Sequence, residues 1–529
     1  MDYPFWNPGM SYAFLMAGIA ILHVFVSQFA IGGGLYLVVT EHRMRKRGDA
    51  GGLEYLERLT KVFVLVTIVF GALSGVGIWF IIGLLNPGAT EVLIHNFVWG
   101  WAIEWTFFIV EIAAAIFYYY SFRTMPAKTH LAIGWIYFAA AWLSLAVING
   151  ILSFMLTPGN WITTGSFWDG ILNPTYIPTT IFRTGICLLL AGLYTLLVAS
   201  RLPKGELKTH LVRWNAGWGL AGLVVMAPSF YWFYHAVPGN LIQEAFTRLP
   251  TPLHAIYATF AFAGALAFLL LVLDVFFSRR LVTVFAVILM LVGLGYVGAF
   301  EWFRESVRKP WIIAGYMYGN GMVVGDAPEI EKSGGLLARI DYKTGHPGAD
   351  LFRHACQTCH TIDGYHGLAD RFAHTDAPFA AALVKGVGKM RAHMPPFVGT
   401  DAEAREIADY IRARVDVTPI EQATKLSGAA LGKRVFDLRC GTCHEIGGYQ
   451  DLTSTLAGLS ADDIGAILDT AGDLDPAMPP FTGDAAERAA LIDYIQTIGK
   501  KPPAQQAAGT PSSTDRPGNR SGARKGGAS

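Results

Sequence analysis

A chain of 529 residues that is 53% hydrophobic, 15% charged and close to neutral, at net +1, is not an ordinary soluble protein. Nucleic acid is not among its expected partners, because near-neutrality offers no basic footprint for a polyanion. The charge is also unevenly placed, leaving long gaps in the first 300 positions.

Those gaps are the spans Tyr12–Thr40, Val62–Leu85, Phe97–Phe122, Leu131–Leu156, Pro178–Ser200, Ala216–His235, Pro252–Ser278 and Leu281–Phe300. At ~1.5 Å rise per residue each can cross a hydrocarbon core of ~30 Å, so the sequence predicts eight transmembrane helices. Lys and Arg set the expected orientation. The loops after the first, third, fifth and seventh spans hold 14 of them, including Arg43, Arg45, Lys46, Arg47, Arg279 and Arg280, whereas the other side holds only Arg248. The positive-inside rule therefore puts the odd-numbered loops in the cytoplasm and both termini outside. Met1–Met10 lacks a basic n-region, so the first span reads as a retained helix rather than a cleaved signal.

Ionisable side chains at membrane depth are costly, and the few present are candidates for function. His23 lies ~16 Å into the first span, where a hydrogen-bonded structural histidine and a ligand are both open readings. Glu104 and Glu111 are seven residues apart on the third span, which returns them to one face. Two stacked carboxylates there suit a proton path, or a ligand with a proton donor behind it. Arg183, near the start of the fifth span, either reaches the outer interface or pairs with a haem propionate. Cys187 reads as a core thiol, His95 as a boundary residue and Asp274 as an ion-pair partner for Arg279 and Arg280. The run from Phe300 to Trp311, with Glu301, Arg304, Glu305, Arg308 and Lys309, reads on its own as an interfacial belt.

A Gly-rich connector over 312–347 separates this membrane domain, 1–311, from two copies of a different motif. Cys356–Gln–Thr–Cys359–His360 and Cys440–Gly–Thr–Cys443–His444 each precede a Met in an MPPF context by 34 residues, Met394 and Met478. Paired thiols form thioethers to a porphyrin, the adjacent His takes one iron face and the Met can close the other. A constant offset of 84 residues superimposes Cys356 on Cys440, His360 on His444, Met394 on Met478, Phe397 on Phe481 and Tyr410 on Tyr494. The same offset excludes Met390 and His393 as the first Met ligand's rivals, since their counterparts are Leu474 and Ala477. The expected domains are 348–416 and 432–499, joined by a linker over 417–431, each resembling a class I cytochrome c with a closing helix at Ala402–Arg414 or Ala485–Gly499. The composition of 500–529 predicts a disordered tail.

In residues 10–312, His23, Trp101–Ala–Ile–Glu104, Val147–Ile–Asn149–Gly150 and Glu305–x–x–Arg308–x–Pro310–Trp311 together resemble subunit I of the cytochrome bd-type terminal oxidases. The resemblance implies that His23 and Glu104 flank an oxygen-reactive haem, that Glu305 ligates a neighbouring high-spin b haem and that Arg308 supports the site. It also implies a bacterial inner membrane, with the cytochrome c domains on the periplasmic side, and a second membrane subunit. Three positions depart from the family pattern. Arg183 stands where the family has the His ligand of a low-spin b haem and Phe260 where it has the Met ligand, while the loop that shapes the quinol site shrinks to about Ala236–Thr251. His235 or His254 could ligate that haem from a changed position.

The expectation is an all-α chain: a polytopic bundle of eight transmembrane helices followed by two tandem small helical cytochrome c domains. Its expected cofactors are two covalent haem c groups and two non-covalent haems of b or d type, bound in part by His23, Glu104, Glu305 and Arg183. Glu104, Glu111, Glu305 and Arg308 are the candidate catalytic residues. The expected iron ligands are His360, Met394, His444, Met478, His23 and Glu305. The function read from these is a terminal oxidase that takes electrons from a cytochrome c-type donor rather than quinol and reduces O₂ to water. The competing reading is a non-catalytic, membrane-anchored dihaem electron-transfer subunit of a larger respiratory complex, and a third is reduction of nitric oxide or peroxide.

Overall fold

The computed structural model of the chain describes residues 10–248, 253–278, 281–341, 343–364, 366–390, 394–475 and 478–499. Eight helices in it are long and apolar enough to cross a membrane. They are α1 (Tyr12–Arg47), α2 (Ala50–Leu85), α3 (Val98–Tyr120), α4 (Ala127–Leu156), α5 (Tyr176–Ser200), α6 (Glu206–Ala236), α7 (Leu253–Phe276) and α8 (Thr283–Arg308). Each contains most of one predicted span, and the fold class is as the sequence reading gave it. Several extend past the apolar run into charged turns, because helices continue beyond the hydrocarbon until a cap ends them. In α1, Ser11 accepts from Phe14 N at 3.2 Å, and Gly48, at φ 66°, closes the other end beyond Arg45–Arg47.

Small residues set the packing of the bundle, since without water between helices close contact does the work that the hydrophobic effect does elsewhere. A Cβ on Gly32 of α1 would lie 1.8 Å from the Cys187 carbonyl oxygen of α5. On Gly192 of α5 it would meet Gly219 N of α6 at 2.5 Å. Cys187 is buried in that core, as expected of a structural thiol. The second span is irregular: Leu65–Gly71 is a π-helical turn, an extra residue wound into the helix, between the α-helical stretches Ala50–Val64 and Ala72–Leu85.

After α8 the chain forms a small antiparallel hairpin, β1 (Trp311–Ile313) with β2 (Met317–Tyr318). Asn86 donates to Gly319 O at 3.0 Å and Ala314 N to Met155 O at 2.9 Å, which ties the hairpin to the ends of α2 and α4. Among the described residues, the segment between Ala236 and Leu253 holds a single short helix, Gly239–Arg248.

Two compact units make up the chain, one of Met1–Lys425 with Leu468–Asp484 and one of Leu426–Ile467 with Ala485–Ser529. In the first, α9 (Pro347–Ala355) crosses α10 (Asp401–Arg412) at Gly348, where a Cβ would sit 2.4 Å from Glu406 O. In the second, α11 (Gly428–Arg439) crosses α12 (Ala485–Gly499) at Gly432, where a Cβ would sit 1.9 Å from Ala490 O. The two glycines and their contacts are 84 positions apart. So are the ring pairs Phe352–Tyr410, 5.4 Å between centroids, and Phe436–Tyr494, 5.6 Å. The duplication read from the motifs thus extends to the helix crossing that frames each of them. Capping ends the connector on the first repeat: Glu403 completes a capping box with Thr400 and also accepts from Leu336 N and Leu337 N. The tail over 500–529 and the side chains of Arg279, Arg280, His254 and His393 lie outside the described residues.

Candidate functional site

The two CxxCH peptides have the same local geometry. Cys356 N and Cys440 N each bond back to the end of the preceding helix, at Phe352 O and Phe436 O, and His360 N and His444 N each bond to the first Cys carbonyl at 2.9 Å. The ring atom His360 Nδ1 is 2.9 Å from His366 O, and His444 Nδ1 is 2.9 Å from Gln450 O. A ring held by Nδ1–H to a carbonyl leaves Nε2 with its lone pair outward, the state an iron ligand needs. Burial pushes the Cys356 and Cys440 thiols up to about 12, so they are neutral and close-packed rather than poised as exposed thiolates. All four motif cysteines are free of disulfides. The peptides therefore fit covalent haem.

The first peptide touches the membrane domain directly. Ala13 N, at the first turn of α1, donates to Thr358 O at 2.9 Å, inside the motif itself. Asn320 of the loop beyond β2 donates to Ala355 O at 3.4 Å. Burial raises the Cys359 thiol and lowers His360; Lys309 and Arg308 lie close enough to oppose the first effect, and Lys309 adds to the second. The first haem-binding loop is thus seated at the α1 start and the α8 end.

Inside the bundle, His23 Nδ1 is 3.0 Å from Ser74 Oγ of α2. That serine also reaches Phe70 O and Gly71 O of the π turn, so the turn aims the group that holds the histidine. Glu104 accepts from Ser144 at 2.9 Å and Glu111 from Tyr137 at 3.1 Å, both across α3 and α4. The rings of Trp79 on α2 and Trp101 on α3, 4.8 Å apart, join the His23-bearing side to the Glu104 helix.

At the α8 end the i,i+3 ion pairs expected of the charged run are joined to α5 in one connected cluster, a link the sequence does not show. Arg183 pairs with Glu301 at 2.8 Å, Glu301 with Arg304 at 3.0 Å, Arg304 with Glu305 at 2.7 Å, and Glu305 with Arg308. Arg183 is 3% exposed, so it neither reaches an interface nor stands alone in the protein matrix. Its partner Glu301 lies 118 positions away, inside the Phe300–Trp311 run of charges. Arg183 Nε, Arg304 Nη1 and Arg308 Nε are buried without a hydrogen-bond partner among the described residues. Buried guanidinium donors left over in this way fit the carboxylates of a non-covalent haem. Phe260, at the other departure from the family pattern, stacks on Tyr296 with ring centroids 4.4 Å apart. His235 is exposed at the end of α6 and holds its own helix, at Tyr231 O. His95 is likewise exposed, on the short helix Pro87–Asn96. Asp274 is 3% exposed, and the arginines expected to pair with it lie outside the described residues.

Eight membrane-crossing helices joined to two covalent haem motifs define a haem-dependent electron-transport protein of the bacterial membrane. Residues 13–236 match the family described as cytochrome bd terminal oxidase subunit I, and residues 343–411 and 427–495 each match cytochrome C oxidase, cbb3-type, subunit III. The chain is a cytochrome bd subunit I-like membrane domain fused to two tandem cytochrome c domains. Among solved structures it is similar to the bd oxidase from Geobacillus thermodenitrificans, at 16% identity and a TM-score of 0.50, over 59% of this chain and 90% of that one. That likeness is one of fold. No curated protein sequence matches the chain. The family match ends at residue 236, so Glu305 and Arg308 lie beyond it.

Two covalent haems per chain are the expected content. Denaturing gels should show peroxidase-active stain on the full-length band. A pyridine haemochrome of thioether type should amount to two equivalents after acid–acetone extraction of other haem. One equivalent would contradict the equivalence of the two peptides.

Proposed function

We propose that the chain is the electron-accepting and oxygen-reducing subunit of a bd-like terminal oxidase, fed by a cytochrome c-type donor instead of quinol. The observation that carries this reading is the hydrogen bond from Ala13 N to Thr358 O, which seats the first haem-binding loop on the bundle beside Arg308 and Lys309. Electrons arriving at His360 would then have a short route to the α8 end. His/Met ligation by His360 with Met394, and by His444 with Met478, raises the potential and suits donation toward oxygen. The quinol side offers less. One helix of ten residues fills the loop after α6, and Arg183 and Phe260 are committed to an ion pair and a ring stack where the family pattern has ligands.

In this reading the bound haems supply the redox chemistry and the chain's residues place and protonate it. His23, turned by Ser74, presents Nε2 to iron. Glu305, held at the α8 end by Arg304 and Arg308, would ligate the iron of a second haem on giving up one of those pairs. Arg183, Arg304 and Arg308 offer donors to propionates. Glu104 holds a proton near the His23 site, and Glu111 stands two turns behind it. The cytochrome c domains are taken to face the periplasm, a placement supported by the basic residues of the alternate loops. The apolar faces of α2 and α3, where Phe80, Val76 and Trp105 are exposed, are left for lipid and a second membrane subunit.

Purified protein should consume O₂ when given ascorbate-reduced cytochrome c, and should leave ubiquinol and menaquinol analogues unoxidised in the absence of any added cytochrome. Steady quinol oxidation under those conditions would overturn the assignment of the donor.

A further inference from the structure

The two cytochrome c repeats share a frame but carry opposite charge on the stretch that leads to each ligand methionine. Between 385 and 394 the first has Lys385, Lys389 and Arg391 and no acid, and at the offset of 84 residues the second has Asp469, Asp473 and Asp475 and no base. Two copies of one fold need the same internal contacts, so an inversion confined to one loop implies a contact between the copies. Residues 468–484, with Met478 among them, belong to the same compact unit as the first repeat.

Contacts are made on both sides of Met478. Before it, Lys389 Nζ lies 3.3 Å from Asp475 Oδ1, and the Asp475 carbonyl accepts from Met478 N at 2.8 Å. Lys389 ends the short turn Val387–Lys389, where a Cβ on Gly388 would lie 3.0 Å from Cα of Pro396, two residues beyond Met394. Lys389 thus links the two methionine loops. After Met478, Thr482 Oγ1 donates to Asp376 Oδ2 at 2.6 Å. Asp376 is the N-cap of the helix Ala377–Lys385 and uses Oδ1 for Phe379 N, at 2.9 Å. A cap needs one oxygen, and the second repeat caps the matching helix, Ala461–Asp469, with Ser460, whose side chain has only one. Thr482 likewise stands where the first repeat has Val398. Neither half of this hydrogen bond is required by the shared fold, and both belong to the contact.

We propose that the first repeat positions the Met478 ligand of the second haem, with Asp376 and Lys389 pinning its loop on either side. The inference deepens the proposed function, since it rests on ligation of that haem by His444 and Met478. The methionine is the detachable side of such a site, because the thioethers at Cys440 and Cys443 and the adjacent His444 fix the haem to one short peptide. His/Met ligation raises the potential, so the second haem keeps a high potential only while the first repeat holds the loop in place. Asp376 and Lys389 act through the loop, as positioning residues. The half-buried hydrogen bond to the Asp376 carboxylate is the stronger pin and the exposed Lys389–Asp475 pair the weaker. The two haem domains then work as one electron-transfer unit, in which the first sets the ligation of the second.

The test uses the full-length holoprotein in the ferric state and follows the far-red charge-transfer band of Met-ligated c haems while added imidazole displaces the methionines. Met478→Ala should remove one of two displacement phases, and so identifies the phase of the second haem. Thr482→Val should quicken that phase by on the order of tenfold, as the loss of one hydrogen bond to a charged group warrants, and leave the other phase unchanged. Asp376→Ser keeps a capping hydroxyl and should act alike, which guards against either variant failing to assemble; two covalent haems per chain show that each has done so. Lys389→Asp should act in the same direction by less, and adding Asp475→Lys to it should reverse the effect. Assembled Thr482→Val and Asp376→Ser proteins with wild-type phases, and at most a lower melting temperature, would overturn the positioning. Failure of the ligation beneath it would appear separately, as a Met478→Ala protein that keeps both phases, and would remove the inference with it.

Discussion

Replacing His23 with Ala is expected to remove one non-covalent haem and its CO-difference signal, while both covalent haems remain. Loss of an axial imidazole leaves no donor at that position, because Ser74 is a hydroxyl already turned to the π turn. The cytochrome domains should be unaffected, since their frames rest on their own helix crossings at Gly348 and Gly432. Glu104→Gln should behave differently: the amide keeps the bond to Ser144 but carries no transferable proton, so turnover should fall by ~10²-fold or more with haem content nearly intact. The measurements are pyridine haemochrome of the extracted haem, the CO-difference spectrum and the oxygen electrode. A His23→Ala protein with full haem and full oxygen consumption would remove the oxidase reading and leave a membrane-anchored electron carrier.

The second large effect concerns the charges at the α8 end, and it is asymmetric. Glu301→Leu strands Arg183, whose only carboxylate neighbour in the described structure is Glu301, so a buried guanidinium loses its counter-charge at a cost of ~3–5 kcal/mol. Arg183→Leu should cost less, because Glu301 keeps Arg304 at 3.0 Å. The double replacement should recover much of the loss, since an apolar pair of similar volume avoids desolvating either charge. Thermal inactivation of the detergent-solubilised variants, read by loss of the haem spectrum, ranks the three. Equal losses in the two single variants would mean that Arg183 draws its stability from a group other than Glu301.

Much of this architecture was legible because two signals are strong in sequence. Apolar runs of membrane length gave all eight spans, and a fixed offset of 84 residues identified the repeat down to Tyr410 and Tyr494, which pack on Phe352 and Phe436. Helix ends were less legible. Arg47 and Arg308 are helical although charged, because backbone hydrogen bonding and capping, not hydropathy, decide where a helix stops. Pairings across helices were hidden altogether. Glu301 reads as one more charge in a boundary run until α5 brings Arg183 beside it, and Glu41 and His130 lie 89 positions apart. The seven-residue register of α3 against α4 was written in the chain, but a stripe has meaning only once its facing stripe is known. The register of Glu104 and Glu111 is visible in the sequence, whereas the part played by Tyr137 and Ser144 shows only once α4 lies against α3.

The π turn at Leu65–Gly71 acts as a phase shift in the second helix. One surplus residue in an otherwise 3.6-fold winding turns everything beyond it by ~100°. Thr60 and Thr67 address the α3–α4 side, while Ser74, on the far side of the shift, addresses His23 of α1. A straight α-helix of the same composition could serve one of these faces and would present the wrong side to the other. The length of this segment, more than the identity of its apolar residues, is therefore what the bundle has to keep. Drift among Leu, Val, Ile and Phe here would leave the winding intact, whereas the loss of a single residue would disconnect the histidine from its holder without touching either of them.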